Sequence, residues 1–124
     1  GNGGVILPAV HYGRDSLVAA ALVLSWMAEN GGGPEKFKSE HPQYAMPKKK
    51  FPLGDKPVQA VFEEVKREFS DYSADTRDGL WLGKGKSFVH VRASNTEPVI
   101  RVISEAPTEA EAEELCAKVE AKIR

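Results

Sequence analysis

The amino-acid sequence predicts an α+β fold: a four-stranded, mostly antiparallel sheet with two helices on one face, preceded by a strand–helix remnant of an α/β domain. Three observations lead to this prediction. From residue 44 onward, short β-branched and aromatic runs alternate with helical stripes in the order βαβββα. A glycine-rich break separates this pattern from an apolar segment before it. The two helical stripes are alike, so both helices are expected to cover the same sheet face.

Composition places limits on function. The 124 residues are 41% hydrophobic and 28% charged, which is typical of a globular domain with a modest core. The net charge of -1 gives no reason to expect a nucleic-acid or membrane partner, and the apolar run Leu17–Leu24 is shorter than the roughly 20 residues of a membrane span. The single cysteine, Cys116, excludes an internal disulfide and fits a reducing, cytoplasmic location.

The first segment is predicted to be a strand followed by a helix. Val5–Leu7 is short, apolar and β-branched, which favours a buried strand. Asp15 is a candidate N-cap for a helix that runs to about Glu29 and is apolar almost all round. Such a helix is normally covered on more than one side. Because Gly1–Gly4 leads directly into the apolar run, we expect the chain to be a fragment of a longer protein.

The break at Asn30–Pro34 is the strongest in the sequence, with three glycines followed by a proline. It predicts two domains. Residues 1–33 would be the end of an α/β domain with a hinge, and residues 34–124 a compact C-terminal domain.

Strands and helices follow in order within the second domain. Tyr44–Leu53 is predicted as a strand, and Gly79–Leu82 and Ser87–Val91 as two strands joined by a four-residue turn, with Val99–Ser104 as the last strand. Asp55 is expected to cap the first helix, with Pro57 in its first turn, while Thr108 and Glu111 form a capping box for the second. The apolar stripes of the two helices are Val58, Val61, Phe62, Val65 and Phe69, and Ala112, Leu115, Cys116, Val119 and Ile123.

The loop between the last two strands is the candidate functional segment. Residues 92–101 read R-A-S-N-T-E-P-V-I-R. Ser94, Asn95 and Thr96 supply hydroxyl and amide groups, and consecutive backbone N–H groups in such a turn can surround an anion. Arg92 and Arg101 stand at the two ends, and a guanidinium binds phosphate oxygens in a fork. The pattern predicts a phosphate site, although a plain surface loop that satisfies its own backbone remains an alternative from these residues alone.

This segment and the pattern around it resemble the α-D-phosphohexomutase family, of the phosphomannomutase/phosphoglucomutase type. The glycine-rich start, G-N-G-G-V-I-L-P followed by G-R-D, is similar to the end of the third domain of that family. The resemblance implies a four-domain parent enzyme, an isomerase that moves phosphate between the 1- and 6-positions of a hexose. It also implies a phosphoserine donor and a Mg2+ ion, both held by domains absent from this chain.

The resemblance also assigns roles to residues. Arg92, Ser94, Asn95 and Thr96 match the phosphate-binding loop, with Arg101 beside it, and Asn2 matches a sugar-binding position. The fragment would bind the phosphate that is not transferred and close the cleft. It would have no catalytic residue or metal ligand of its own and would be inactive alone. Its partners would be the hexose phosphate and the missing N-terminal domains.

Two alternatives stay open. Phosphoglucosamine mutase is a member of the same family, in which glycine is more frequent at the place of Asn95. A non-enzymatic phosphate-binding or nucleic-acid-binding module is the alternative from another class, because small sheets with two helices often bind nucleic acid.

Overall fold

The computed structural model describes residues 4–124, which form two compact units, one ending at Gln43 and the other spanning Tyr44–Arg124. The predicted domain limits, 1–33 and 34–124, stay a prediction, but the division between the compact units comes after residue 43. The reason is that the glycine-rich break joins two helices of the first unit, α1 (Ser16–Asn30) and α2 (Pro34–Glu40). No helix of the described residues is long and apolar enough to cross a membrane.

In the first unit, aromatic contacts hold the two helices together. The rings of Trp26 and Phe37 meet edge to face with their centroids 5.0 Å apart, and His41 stacks on Phe37 at 4.1 Å. Asp15 caps α1 as predicted, accepting hydrogen bonds from the N–H groups of Leu17 and Val18. No residue of α1 is buried in the described part of the chain.

The strand predicted at Val5–Leu7 is not formed, so this prediction was wrong. The carbonyl of Val5 accepts a hydrogen bond from Asp15 N–H at 3.0 Å, and the carbonyl of Leu7 accepts from Val10 N–H at 2.8 Å in a turn. A strand requires a neighbour for its N–H and C=O groups, and the first unit contains no strand among residues 4–43.

The second unit is an antiparallel sheet of five strands, one more than predicted. The strands are β1 (Lys48–Pro52), β2 (Ser73–Asp75), β3 (Leu80–Lys84), β4 (Ser87–Ala93) and β5 (Val99–Glu105), in the spatial order β1-β5-β4-β3-β2. The helices α3 (Val58–Glu68) and α4 (Glu109–Ile123) complete the unit. The additional strand, β2, pairs with β3 at the edge of the sheet. The α+β class and the βαβββα arrangement of the main elements are confirmed.

The core lies between the two helices and one face of the sheet. Alternate residues of β3, β4 and β5 point into it, so that Leu80, Val89, Val91, Ile100 and Val102 are completely buried. The predicted stripe of α4 is buried throughout, and Val61 and Val65 of α3 are fully enclosed. The opposite face of the sheet carries no helix in the second unit. We call it the helix-free face.

Two polar groups enter the core on the helix side. Ser104 is fully buried and donates a hydrogen bond from Oγ to the carbonyl of Ala112 at 2.6 Å. Its Oγ also lies 3.2 Å from Cys116 Sγ, and burial raises the pKa of the Cys116 thiol. This cysteine is therefore an inert core residue, as its position in the stripe predicted.

Of the two N-caps predicted in the second unit, one is formed and one is not. Thr108 caps α4 by accepting from Glu111 N–H at 3.3 Å. Asp55 does not cap α3, because the helix begins at Val58 and Pro57 occupies the N-cap position. The prediction for Asp55 placed the start of the helix too early: the extended backbone of Pro57, with ψ 138°, delays it.

Candidate phosphate-binding site

Three cationic side chains form a row across the helix-free face. The strand register pairs Lys50 of β1 with Arg101 of β5, and Arg101 with Arg92 of β4. These positions alternate with the buried residues of the same strands, so their side chains share the helix-free face. Like charges directly opposite each other destabilise a sheet unless a counter-charge lies near them. We call this set the basic row, and its charge favours an anion at that end of the sheet.

Two carboxylates lie beside the basic row. Asp78 Oδ1 is 3.1 Å from Arg92 Nη2, and Glu97 Oε2 is 3.7 Å from Lys50 Nζ. Among residues 4–124, the guanidinium of Arg101 has neither an ion pair nor a hydrogen bond. The row therefore keeps one uncompensated cation, in its middle.

The loop between β4 and β5 is held closed by backbone hydrogen bonds. Ser94 N–H donates to the carbonyl of Val99 at 2.9 Å, and Val99 N–H donates to the carbonyl of Glu97 at 2.8 Å. From the end of β1, Leu53 N–H donates to the carbonyl of Pro98 at 2.8 Å. The loop is consequently fixed at its start and at its exit, next to the basic row.

Donor groups within the loop remain available. The hydroxyl oxygens of Ser94 and Thr96 are 3.4 Å apart, and Thr96 N–H reaches Ser94 Oγ only at 3.5 Å, which is the limit of a hydrogen bond. The side chain of Asn95 makes no hydrogen bond within the described residues. These groups together offer two hydroxyls and an amide to a ligand.

The five predicted phosphate-binding residues line one recess with a volume of about 240 Å³. The lining consists of Arg92, Ala93, Ser94, Asn95, Thr96 and Arg101. The sequence therefore predicted correctly that these side chains lie together, while their ligand stays a prediction. Asn2, the predicted sugar-binding residue, lies outside the described residues.

A second recess lies on the same face, with a volume of about 290 Å³. It is lined by Asp75, Arg77, Asp78, Trp81 and His90. The guanidinium of Arg77 donates to Asp75, with Nε 2.9 Å from Oδ2, and these hydrogen bonds lower the pKa of Asp75 to about 2. Asp78 belongs to this recess and pairs with Arg92 of the first, so the two recesses share this ion pair.

The sequence analysis assigned none of Lys50, Asp78 and His90 to the site, although the run Lys48–Lys50 is basic and His90 alternates with Arg92 along its strand. Lys50 is found there because β1 pairs with β5, far along the chain. Asp78 and Gly79 form a turn dipeptide immediately before β3. Lys49 and Lys50 point to opposite faces of the sheet because they are consecutive on a strand, so Lys50 can be assigned to this face once the partner of β1 is known.

The described residues contain no group of three or more His, Cys, Asp or Glu side chains that could hold a metal ion. Asp75, Asp78 and Glu97 on this side of the sheet are each paired with an arginine or a lysine instead. The described part of the chain therefore does not fit a bound Mg2+ ion, which requires several oxygen ligands around one centre.

The chain is similar to proteins of one known family. The model of the family described as phosphoglucomutase/phosphomannomutase, C-terminal domain, matches residues 44–122. A phosphoglucomutase/phosphomannomutase of Thermococcus kodakarensis is 38% identical over 91% of this chain and 25% of its own length. A probable phosphoglucosamine mutase of Pyrococcus horikoshii is 32% identical over 96% of this chain and 27% of its own. The chain thus spans about a quarter of the length of these relatives.

Two solved structures share the fold. A phosphoglucomutase/phosphomannomutase family protein of Burkholderia thailandensis gives a TM-score of 0.64 at 22% identity, covering 97% of this chain and 26% of that one. The N-acetylphosphoglucosamine mutase of Aspergillus fumigatus, solved in complex with GlcNAc-6P and magnesium, gives 0.52 at 20% identity, covering 90% and 21%. At these identities they establish similarity of fold alone. The family match covers most of the second unit, and on this basis the chain belongs to the phosphoglucomutase/phosphomannomutase family, with residues 44–122 forming the C-terminal domain.

Proposed function

We propose that the recess between Arg92 and Arg101 binds the phosphate group of a hexose phosphate, the one that is not transferred during the reaction. The observation that carries this proposal is the direct pairing of the two arginines on one sheet face, beside a loop that presents hydroxyl and amide groups. A phosphate dianion placed there would relieve the repulsion between the two guanidinium groups.

The parent protein would be a mutase that interconverts hexose 1- and 6-phosphates. The two relatives from Thermococcus kodakarensis and Pyrococcus horikoshii are named as mutases, and this chain corresponds to about a quarter of their length. The phosphoserine donor and the Mg2+ ion implied by the resemblance would belong to parts of the parent outside this chain. Asn2 would contact the sugar. The location would be cytoplasmic.

The contribution of this domain would be to position the substrate. Phosphoryl transfer depends mainly on alignment and charge stabilisation. A substrate gripped by its distal phosphate presents its other end at a fixed distance, so the binding energy of the remote group assists the reacting one. The domain would also exclude water as it closes over the cleft. The isolated chain should bind phosphate weakly and catalyse nothing.

A titration followed by amide NMR signals tests the proposal. Adding glucose 6-phosphate, glucosamine 6-phosphate or inorganic phosphate to the 124-residue chain should shift the signals of residues 94–96. The double change Arg92→Ala and Arg101→Ala should abolish these shifts. The matched control, Arg67→Ala with Arg124→Ala, removes the same charge from the helical side and should leave the shifts intact.

Three results would contradict the proposal. One is the absence of any shift at high millimolar ligand, and another is an equal shift in the double variant. The third is binding of a single-stranded oligonucleotide that persists in the double variant, which would favour a nucleic-acid-binding module. A preference for glucosamine 6-phosphate over glucose 6-phosphate would instead favour the phosphoglucosamine mutase alternative, for which the relative in Pyrococcus horikoshii is named.

A further inference from the structure

A short turn before β3 contacts one of the two arginines of the recess. Asp78 Oδ1 lies 3.1 Å from Arg92 Nη2. Gly79, the next residue, adopts a φ of +72°, a conformation that residues with a side chain rarely take. The turn thus combines a carboxylate at the head of Arg92 with a glycine beside it.

Gly79 allows the turn to approach the stem of Arg92 closely. A Cβ atom added at Gly79 would lie 2.5 Å from the carbonyl oxygen of Val91 and 2.9 Å from Cγ of Arg92. Neither distance can be accommodated, and the first neighbour is backbone that cannot swing away. The aliphatic part of the Arg92 side chain therefore occupies space that a side chain at position 79 would need.

His90 fixes the same turn from strand β4. Its Nε2 lies 2.6 Å from the carbonyl oxygen of Asp78, and the imidazole N–H is the donor. His90 and Arg92 are two residues apart on β4 and share the helix-free face. One strand therefore supplies both the arginine and the group that holds the turn against it.

We propose that the turn formed by Asp78 and Gly79, held by His90, is a positioning device that orders the guanidinium of Arg92 before the phosphate arrives. This inference rests on the proposed function of the recess. The nearest atoms of the two side chains are Asp78 Oδ1 and Arg92 Nη2, at one end of a guanidinium that has five N–H donors. The remaining donors stay available to a ligand.

The two arginines of the recess then have different roles. Arg101 has no partner for its guanidinium in the described chain, so it must be ordered when the ligand binds. The guanidinium of Arg92 already forms an ion pair with Asp78, and the aliphatic part of its side chain lies close to Gly79. Ordering a long side chain opposes binding, and a group ordered in advance avoids that loss. Arg92 would be in position before the phosphate binds, and Arg101 would become ordered on binding.

Charge repulsion and positioning predict opposite effects of Asp78 on phosphate affinity. A carboxylate near a phosphate repels it, so removal of its charge should strengthen binding if charge were all that mattered. If Asp78 acts by positioning Arg92, its removal should weaken binding. The sign of the change in affinity distinguishes the two.

The test compares Asp78→Asn with Asp75→Asn in the full chain. Asp75 lines the neighbouring recess and pairs with Arg77, so its replacement removes the same charge from the same face without touching Arg92. Glucose 6-phosphate is titrated, and the Nε–Hε signal of Arg92 is recorded without ligand to report the order of its side chain. Asp78→Asn should weaken binding by about threefold to tenfold. It should also lower the order of Arg92. Asp75→Asn should leave the order unchanged and the affinity equal or higher.

The outcomes separate this inference from the proposed function. Unchanged or tighter binding by Asp78→Asn, or an Arg92 signal as ordered as in the unaltered protein, overturns the positioning role. Absence of glucose 6-phosphate binding by the unaltered protein overturns the proposed function, and the Arg92 signal then still decides whether Asp78 orders it. Thermal unfolding should be nearly the same in both variants, because exposed ion pairs contribute little to stability.

Discussion

Two helices of equal length differ in how far they are buried within their own units. α1 and α4 each have 15 residues, and each begins at a side chain that caps it, Asp15 or Thr108. α4 buries five residues, whereas α1 buries none although it is the more apolar helix. Apolar composition alone therefore does not produce burial. α4 is amphipathic and faces a sheet of its own unit, while α1 has the short helix α2 as the only other helix or strand among residues 4–43.

The largest effect expected from this difference concerns apolar truncation. Ile100→Ala creates a cavity at a completely buried position of β5 and should lower the free energy of unfolding by about 3 kcal/mol. Leu24→Ala changes a side chain that is 62% exposed on α1 and should stay within about 0.5 kcal/mol. Urea unfolding followed by the amide signals of the sheet and of α1 measures both. Equal losses would show that α1 is packed as firmly as the core.

Removing the helix caps is expected to have a smaller effect. Thr108→Ala should lower the free energy of unfolding of the second unit by about 1 kcal/mol, because Glu111 N–H loses its acceptor. Asp15→Ala should reduce the helicity at the start of α1, visible in its 13Cα shifts, and leave the second unit unchanged. A loss of sheet stability in Asp15→Ala would mean that the two units unfold together.

The smallest effect is the response of one carboxyl group in each unit to acid. Arg77 holds the pKa of Asp75 at about 2, while the hydrogen bond from His11 and then the N–H of Val18 lower the pKa of Asp15. Since both folded values lie below the ordinary one, their stabilisation is present above about pH 4 and is lost as the pH falls through the folded values. Carboxyl 13C titration should show that Arg77→Ala raises only the pKa of Asp75 and His11→Ala only that of Asp15. A shift of the other carboxyl group in either variant would contradict these assignments.

The main elements of the second unit could be predicted because their patterns are long and regular. The stripe of α4 fills the core as its spacing indicated, and the strands around the loop at 93–98 alternate as expected. β2 was missed because Ser73–Asp75 is only three residues long and carries no apolar alternation. It is a strand only because β3 offers it an edge. Val5–Leu7 shows the reverse case, a strand-like sequence without a neighbour among the described residues.

The candidate site was predictable in part for a similar reason. Arg92, the three loop residues and Arg101 are close in sequence, and a hairpin necessarily brings its two ends together. Lys50 and Asp78 reach the site through sheet pairing and through a turn, and neither can be located before the strand order is known. Sequence patterns therefore predict a local loop better than the residues that surround it.

The strand order also explains why the sheet ends at five strands. The outer strand on one side is β1, with three consecutive lysines and Pro52, which has no N–H to donate. The outer strand on the other side is β2, which has only three residues. Charged side chains, a proline and a very short strand all discourage the addition of a further strand from another molecule. The same two edges that complete the sheet thus protect it from edge-to-edge aggregation.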